Sequence, residues 1–324
     1  MNARVAVIAI GRNEGARLAA CLASIAASGA HAVYVDSGST DGSLGIARAA
    51  GARIVELDRT APFTAARARN AGVAALREEG LPEFLQFVDG DCTLEPGWLD
   101  AGMAALDADR GIGIVTGWRR EITPDATLYN AMAEWEWHRP AGDIAACGGD
   151  MMLRSALFES LGGFDGAIIC SEDEDLCLRV RTRGLRVHRL PRIMTRHDIA
   201  MTRLGQWWRR AVRAGHGFAE VGDRHPGHFA GERRRVRLWG VALPGATLVA
   251  AGIWGLAPLL GAAALYGASW ARAARNLRRG GQSHRRAIGL AGLLVLSKFP
   301  NAQGMLTYRL RRLRGGEMRL IEYR

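Results

Sequence analysis

Asp89-Gly90-Asp91 closes the apolar run Phe84 to Val88, and two carboxylates one residue apart are the sharpest chemical signal in the chain. Apolar residues that stop at such a pair read as a buried strand delivering both side chains to the carboxyl edge of a sheet, where open α/β sheets bind ligands. Carboxylates this close repel unless a cation lies between them, and hard oxygen ligands suit Mg²⁺ or Mn²⁺ better than Zn²⁺. An ordinary Asp-Gly turn satisfies the same three residues. A second cluster, Glu172, Asp173, Glu174 and Asp175, precedes Leu176-Cys-Leu-Arg-Val180. Four adjacent carboxylates are costly, and a helix N-terminus reduces that cost through its free N–H groups and dipole. A third cluster is Asp36 followed by Ser37-Gly-Ser-Thr-Asp41-Gly-Ser43. A carboxylate at a strand tip, then a small-residue loop opening a helix, is how α/β folds hold a ribose and the adjoining phosphates.

Short alternating elements must position these groups. Val5 to Ile10 reads as a buried parallel strand, Asn13 as a helix N-cap, and Ala16 to Ala27 as a helix covering the sheet. Ala32 to Val35 and Ile54 to Leu57 read as further strands, and Phe63 to Leu76 as a helix bearing Arg67, Arg69 and Asn70. Such alternation predicts right-handed βαβ units and a mostly parallel sheet flanked by helices.

In order along the chain, VIAIGRNEGARLAACLASI, VYVDSGSTDGS, ARARNAG and FVDGD resemble the nucleotide-binding half of family 2 glycosyltransferases with the GT-A fold, a Rossmann-like α/β architecture. The resemblance implies a nucleoside diphosphate sugar as donor. Asn13, Glu14, Asp36, Ser37 and Asp41 are then expected near the nucleotide, with Arg69 nearby. Asp89 is expected toward the ribose and the metal, and Asp91 on a divalent metal, Mn²⁺ or Mg²⁺.

Downstream, Gly111 to Thr116 and Arg186 to Leu190 read as strands. Trp135, Trp137 and His138 either stack on a sugar ring or pack. Cys147-Gly-Gly-Asp150, then GGFDxxxxxxEDxDLxLR, resembles the acceptor side of the same family. That resemblance implies Asp173 as the base of an inverting transfer, with Glu172 and Asp175 as the other catalytic candidates. Trp137, Gly149 and Asp150 are expected at the acceptor. His197 is expected as a further metal ligand. Gln206-Trp-Trp-Arg-Arg210 resembles loosely the Gln/Arg/Trp segment of processive members, which brings Arg209 and Arg210 toward the donor. The chemistry needs a carboxylate to take the proton of the attacking hydroxyl and a metal to offset charge on the leaving diphosphate.

Charge separates the chain into two objects. Of its net +11, residues 1–200 sum to −6 and residues 201–324 to +17. From Leu238 to Trp270 there is no charged residue, and arginine-rich stretches lie on both sides. Long apolar runs among the arginines point to an anionic membrane surface and away from nucleic acid. The uncharged run exceeds the roughly 20 residues of one span, and positive flanks remain cytoplasmic. A tight helical hairpin over 238–270 or a re-entrant pair, broken near Gly255 to Pro258, meets both conditions. Five cysteines without a C-x-x-C pair fit a reducing cytosol and exclude a disulfide framework. The apolar run at the N-terminus is too short for a secretory signal.

The expectation is a glycosyltransferase on the cytoplasmic face of the inner membrane: a catalytic domain over 1–230 (donor half 1–110, acceptor half 111–230) and a basic helical membrane-associated region over 231–324. Its acceptor is a glycan or a lipid-linked sugar. A polyprenyl-phosphate sugar synthase and a non-catalytic nucleotide-binding scaffold are the competing readings. The absence of G-x-G-x-x-G after the first strand speaks against a dinucleotide oxidoreductase.

Overall fold

The computed structural model describes residues 2–316 and Met318. The chain packs as two compact units: residues up to Thr123 with Ala133–Ala200, and Pro124–Met132 with the residues from Met201 onward.

The first unit begins with β1 (Asn2–Gly11), α1 (Ala16–Ala27), β2 (Ala30–Asp36), α2 (Ser43–Ala49), β3 (Arg53–Glu56), α3 (Ala65–Glu79) and β4 (Phe84–Asp89). Strands β3, β2, β1 and β4 lie side by side and parallel, so the tips of β1, β2 and β4 share one edge. On α1 the buried residues are Leu18, Cys21, Leu22 and Ile25, the 3.6-residue spacing of one face laid on the sheet. Along β4, Phe84 and Val88 enter one core layer and Leu85 and Phe87 the other, so the sheet is covered on both sides.

The remaining elements are β5 (Cys92–Leu94), α4 (Trp98–Ala108), β6 (Ile112–Glu121), α5 (Leu128–Trp137), β7 (Gly142–Ile144), β8 (Met151–Arg154), α6 (Ser155–Ser160), α7 (Glu172–Thr182) and β9 (Arg186–His197). Here the sheet departs from the parallel expectation. β8 inserts between β4 and β6, antiparallel to both; β9 runs parallel to β6, and β5 and β7 pair antiparallel to β9. Asn13 is not the N-cap of α1. Gly15 occupies that position, while Asn13 takes φ +56° and its Oδ1 accepts from the Thr40 N–H at 2.7 Å.

The second unit is helical: α8 (Leu204–Arg224), α9 (Ala230–Arg237), α10 (Leu243–Trp254), α11 (Ala257–Arg279), α12 (His284–Leu296) and α13 (Lys298–Leu313). Residues 201–230, expected with the catalytic domain, pack with these helices because α8 crosses α13 backbone to backbone. A Cβ on Gly215 would lie 2.1 Å from the Asn301 carbonyl oxygen, and one on Gly304 only 1.9 Å from that of Val212. Only glycine allows this crossing. α9 and α10 form one continuous helix, Ala230–Trp254, long and apolar enough to cross a membrane. A wide turn, Leu238–Ala242, interrupts it just before Pro244, whose missing N–H breaks the regular ladder. Gly255, at φ +67°, ends α10, and the chain turns into α11 within two residues.

Candidate functional site

Asp36, at the tip of β2, is buried and fully engaged. Its Oδ2 accepts from the Gly38 and Ser39 N–H groups at 2.9 and 2.7 Å, and its Oδ1 from the Tyr34 hydroxyl at 3.0 Å. It therefore shapes the loop that Ser37 opens. Asp41 Oδ1 accepts from the Ser43 N–H at 2.9 Å, and the hydrogen bonds from Ser43 hold its pKa below the usual carboxylate range. Glu14 lies beside Gly90, whose added Cβ would sit 3.5 Å from the Glu14 Cγ, and pairs with Arg17 at 2.8 Å. Asn13, Glu14, Asp36, Ser37 and Asp41 thus line neighbouring loops at one sheet edge.

The two aspartates of the Asp-Gly-Asp turn have different partners. Both oxygens of Asp89 face guanidinium groups: Oδ1 is 2.9 Å from Arg69 Nη2 and Oδ2 is 3.2 Å from Arg119 Nη2. Asp89 also stands with Cys92 and Asp150 in a group whose ligand atoms lie within 4.8 Å of one another, so a cation reaching it would share its oxygens with these arginines. Asp91 Oδ2 instead lies 3.0 Å from His197 Nε2, and both side chains are buried. β9 ends at His197 and pairs with β5 so that His197 stands opposite Cys92. Burial, the largest influence, pushes the His197 pKa down and favours the neutral imidazole, the form in which a histidine ligates a metal. The Asp91, Cys92 and His197 ligand atoms all lie within 4.8 Å of one another. Burial also pushes the Cys92 pKa well up, so it stays a thiol and a poor ligand. A buried carboxylate beside a neutral imidazole fits a divalent cation such as Mn²⁺ or Mg²⁺, whose other positions diphosphate oxygens can fill.

Arg69 is the centre of the buried charge. Its Nη1 donates to Glu172 Oε1 at 2.5 Å while Nη2 holds Asp89, and its guanidinium lies 5.4 Å from the Phe164 ring centroid. Burial opposes its charge; Glu172 and Asp89 more than offset this, and the group stays charged. Asn70, next on α3, clamps the Gly-Gly-Phe-Asp turn by exchanging two hydrogen bonds with the Phe164 backbone, at 2.8 and 2.9 Å.

α7 starts at Glu172, as the four-carboxylate cluster suggested, after Ser171 in the left-handed region at φ +64°. The four carboxylates do not share one environment. Glu172 is buried on Arg69. Asp175 is buried and tied to Arg179 at 2.8 Å, a pairing within the helix, so it is not poised for catalysis. Asp173 is half-buried, its carboxylate lying near Gly148. Burial first, then Glu172, raise its pKa, Arg69 opposes them, and the carboxyl is pushed up to about 7.

Arg119, on β6, escaped the sequence reading. Besides Asp89 it pairs with Asp150 through Nη2 at 2.8 Å and Nε at 3.0 Å, and it lies 5.4 Å from the Trp137 ring centroid. Asp150, expected at the acceptor, is buried and braces this arrangement, accepting also from the Thr195 hydroxyl at 2.7 Å and from the Asp89 N–H at 3.2 Å. Trp137 is half-buried and sets its edge on His197, ring centroids 4.7 Å apart. Gly149 is buried against Arg69. Arg209 and Arg210 lie on α8 in the second unit, Arg209 exposed and Arg210 half-buried.

Residues 6–150 match the model of glycosyl transferase family 2. A pre-mycofactocin glycosyltransferase of Mycobacterium tuberculosis is 28% identical over 172 residues, which cover 50% of this chain and 35% of that protein. The O-antigen biosynthesis protein RfbC of Myxococcus xanthus is 30% identical over 163 residues, 42% of this chain and 12% of that protein. The chain thus spans about a third or less of the length of these curated relatives. Among solved structures, mannosyltransferase PcManGT from Pyrobaculum calidifontis, in complex with GDP-Man and Mn²⁺, superposes with a TM-score of 0.59 at 24% identity, covering 90% of this chain and 87% of that one. Glucosyl-3-phosphoglycerate synthase from Mycobacterium tuberculosis, in complex with Mn²⁺, UDP and glucosyl-3-phosphoglycerate, gives 0.51 at 18% identity, covering 69% of this chain and 80% of that one. These likenesses establish the GT-A fold.

Proposed function

We propose that this chain, a glycosyl transferase family 2 protein over residues 6–150, transfers a sugar from a nucleoside diphosphate sugar to an acceptor hydroxyl with inversion at the anomeric carbon. One observation carries the reading: Asp173, a carboxyl pushed up to about 7, belongs to a buried charge cluster that reaches Asp89 through Glu172 and Arg69. A base works best when its pKa is near the working pH. The Asp173 carboxylate takes the proton of the acceptor hydroxyl as that oxygen bonds to the anomeric carbon, and the bond from this carbon to the diphosphate oxygen breaks. No covalent intermediate on the enzyme is needed. Asp36, Asp41 and their loop hold the nucleoside, with Asn13, Glu14 and Ser37 shaping its walls. Arg69 and Arg119 hold Asp89 toward the ribose. Asp91 and His197 hold the divalent metal, which when bound offsets negative charge on the leaving diphosphate. Trp137, held between Arg119 and His197, is assigned to the acceptor with Gly149 and Asp150.

The continuous apolar helix Ala230–Trp254 and the arginines around it support membrane association, with the catalytic half on the cytoplasmic face and a glycan or lipid-linked acceptor. The division proposed with it is by function, donor half 1–110, acceptor half 111–230 and membrane-associated region 231–324, although residues 201–230 pack with the helical unit.

Asp173→Asn tests the reaction. It preserves size but cannot take the proton, so turnover falls by roughly 10²–10⁴ while donor affinity, read by titration calorimetry, changes little. Near-normal turnover would mean that the acceptor is already an anion, as in a polyprenyl-phosphate sugar synthase. Absence of donor hydrolysis or transfer by the unaltered chain, across a panel of nucleotide sugars with Mn²⁺, would instead support a scaffold.

A further inference from the structure

We infer that α10 and α11 form a re-entrant hairpin that inserts into an anionic leaflet from one side, turns within the hydrocarbon at Gly255, and returns to the same side without crossing. It rests on the membrane association proposed above and is independent of the reaction.

The geometry bounds how deep such a hairpin reaches. At its base the two arms touch: the Tyr266 hydroxyl donates to the Trp239 carbonyl, and the two rings lie 5.6 Å apart. At a rise of about 1.5 Å per residue, Gly255 stands about 24 Å from Trp239 along one arm and about 17 Å from Tyr266 along the other. The hydrocarbon core is about 30 Å thick, so neither arm brings the turn to the far headgroups. The base and the tip also differ in chemistry. Phe299 adds its ring to Tyr266 at 5.8 Å, and Trp270 Nε1 donates to the Ile288 carbonyl at 3.0 Å. Trp and Tyr favour the membrane–water boundary, and these four aromatics form a collar at that level. The tip is apolar: Ile253, Trp254, Leu256 and Leu260 are 66–73% exposed to solvent in the isolated chain. At the turn the Gly255 N–H donates to the Ala251 carbonyl, and Pro258, in the first turn of α11, has no N–H to satisfy.

Charge fixes the side. Arg233, Arg234, Arg235 and Arg237 precede the uncharged run; Arg272, Arg275, Arg278 and Arg279 follow it. A single crossing would separate these groups, against the retention of positive flanks on one face, whereas a hairpin keeps both against the same anionic leaflet.

Single cysteines test this in the full chain. Arg235→Cys, Leu256→Cys and Arg275→Cys are made one at a time; the five native cysteines are buried, and the unaltered chain sets the background. The proteins are first floated with sealed vesicles of phosphatidylcholine, with and without phosphatidylglycerol. Co-flotation with the anionic vesicles is expected, and its absence overturns the membrane association itself. A membrane-impermeant maleimide added to intact cells is then expected to label none of the three. After permeabilisation it should label Arg235→Cys and Arg275→Cys, and Leu256→Cys only once detergent is added. Leu256→Cys labelled from outside means a hairpin that spans; Arg235→Cys and Arg275→Cys labelled from opposite sides mean a single span; Leu256→Cys labelled without detergent on floated vesicles means helices lying on the surface. Each of these three results overturns the re-entrant hairpin while leaving membrane association intact.

Discussion

The two units solve opposite problems of solvation. In the sheet unit charge goes inside: Arg69, Asp150 and Glu172 are buried, Arg119 is largely so, and each has an ionic partner within 3.2 Å. In the helical unit apolar side chains go outside, with Leu248, Val249, Trp254 and Leu256 all more than 65% exposed. Buried charge is stable only as a closed set of partners, and exposed apolar surface is stable only against something other than water. The first arrangement closes on itself; the second leaves surface for a partner other than water.

Removing one partner from the closed set breaks that contrast most severely. Arg69→Met takes the cation away from buried Glu172 and leaves Asp89 with Arg119 alone, and should cost about 3–5 kcal/mol, read as a large fall in the thermal midpoint. The reverse experiment, Leu256→Arg, places a charge on surface that is already in water. It should leave the midpoint of the detergent-free protein almost unchanged. Equal losses in the two variants would erase the distinction between the units.

Removing Asp91 acts on binding more than on folding. Asp91→Ala should abolish Mn²⁺-dependent donor binding while lowering the midpoint without metal by less than Arg69→Met does, because the partner it leaves behind, His197, is a neutral imidazole. Unchanged Mn²⁺ affinity by titration would sink Asp91 as a ligand.

Asp173 gives a smaller and signed effect. Its folded pKa of about 7 lies above the roughly 3.9 of an unfolded aspartate, so the folded chain binds the extra proton in between. This group's contribution to stability is therefore greatest at low pH and declines as pH rises from about 4 through about 7. Asp173→Asn removes the decline, so its midpoint should exceed that of the unaltered chain more at about pH 8 than at about pH 5. Activity of the unaltered enzyme should run the other way, rising through about pH 7 as the carboxylate forms. A gap in midpoint that does not vary with pH would show that Asp173 titrates normally.

The helical unit supplies the smallest change. Each of Arg272→Gln and Arg275→Gln should weaken binding to anionic vesicles by about 1 kcal/mol, roughly fivefold, and the loss should shrink at high salt. Identical loss on neutral vesicles would mean that the arginines act through folding.

How much of this the sequence carried depended on how local each feature is. β1 to β4 announce themselves as apolar runs ending in polar residues, and α1 repeats its apolar positions along one face, so the donor half was readable element by element. β8, four residues long, gave no period to read, and its antiparallel place between β4 and β6 depends on pairings made far along the chain. Asp91 and His197 came from motif and resemblance, and the sheet does bring them together. Arg119 was invisible because its importance comes from Asp89 and Asp150, 30 and 31 residues away, meeting across the sheet. For the same reason Asp150 was placed at the acceptor: its residue type shows in the sequence, but not the inward direction of its side chain. Asn13 looked like a cap because capping residues are recognised by type, and Thr40 on the neighbouring loop claimed its oxygen.

Gly149 links the shape of the site to its chemistry. A Cβ there would fall 2.0 Å from Arg69 Nη2, inside the space that the guanidinium occupies. Even alanine would push Arg69 off Glu172 and Asp89 and remove the cation that restrains the proton affinity of Asp173. The vacancy at residue 149 therefore acts as a gauge block: a volume fixed on one loop sets, through Arg69, how readily a carboxyl at residue 173 gives up its proton.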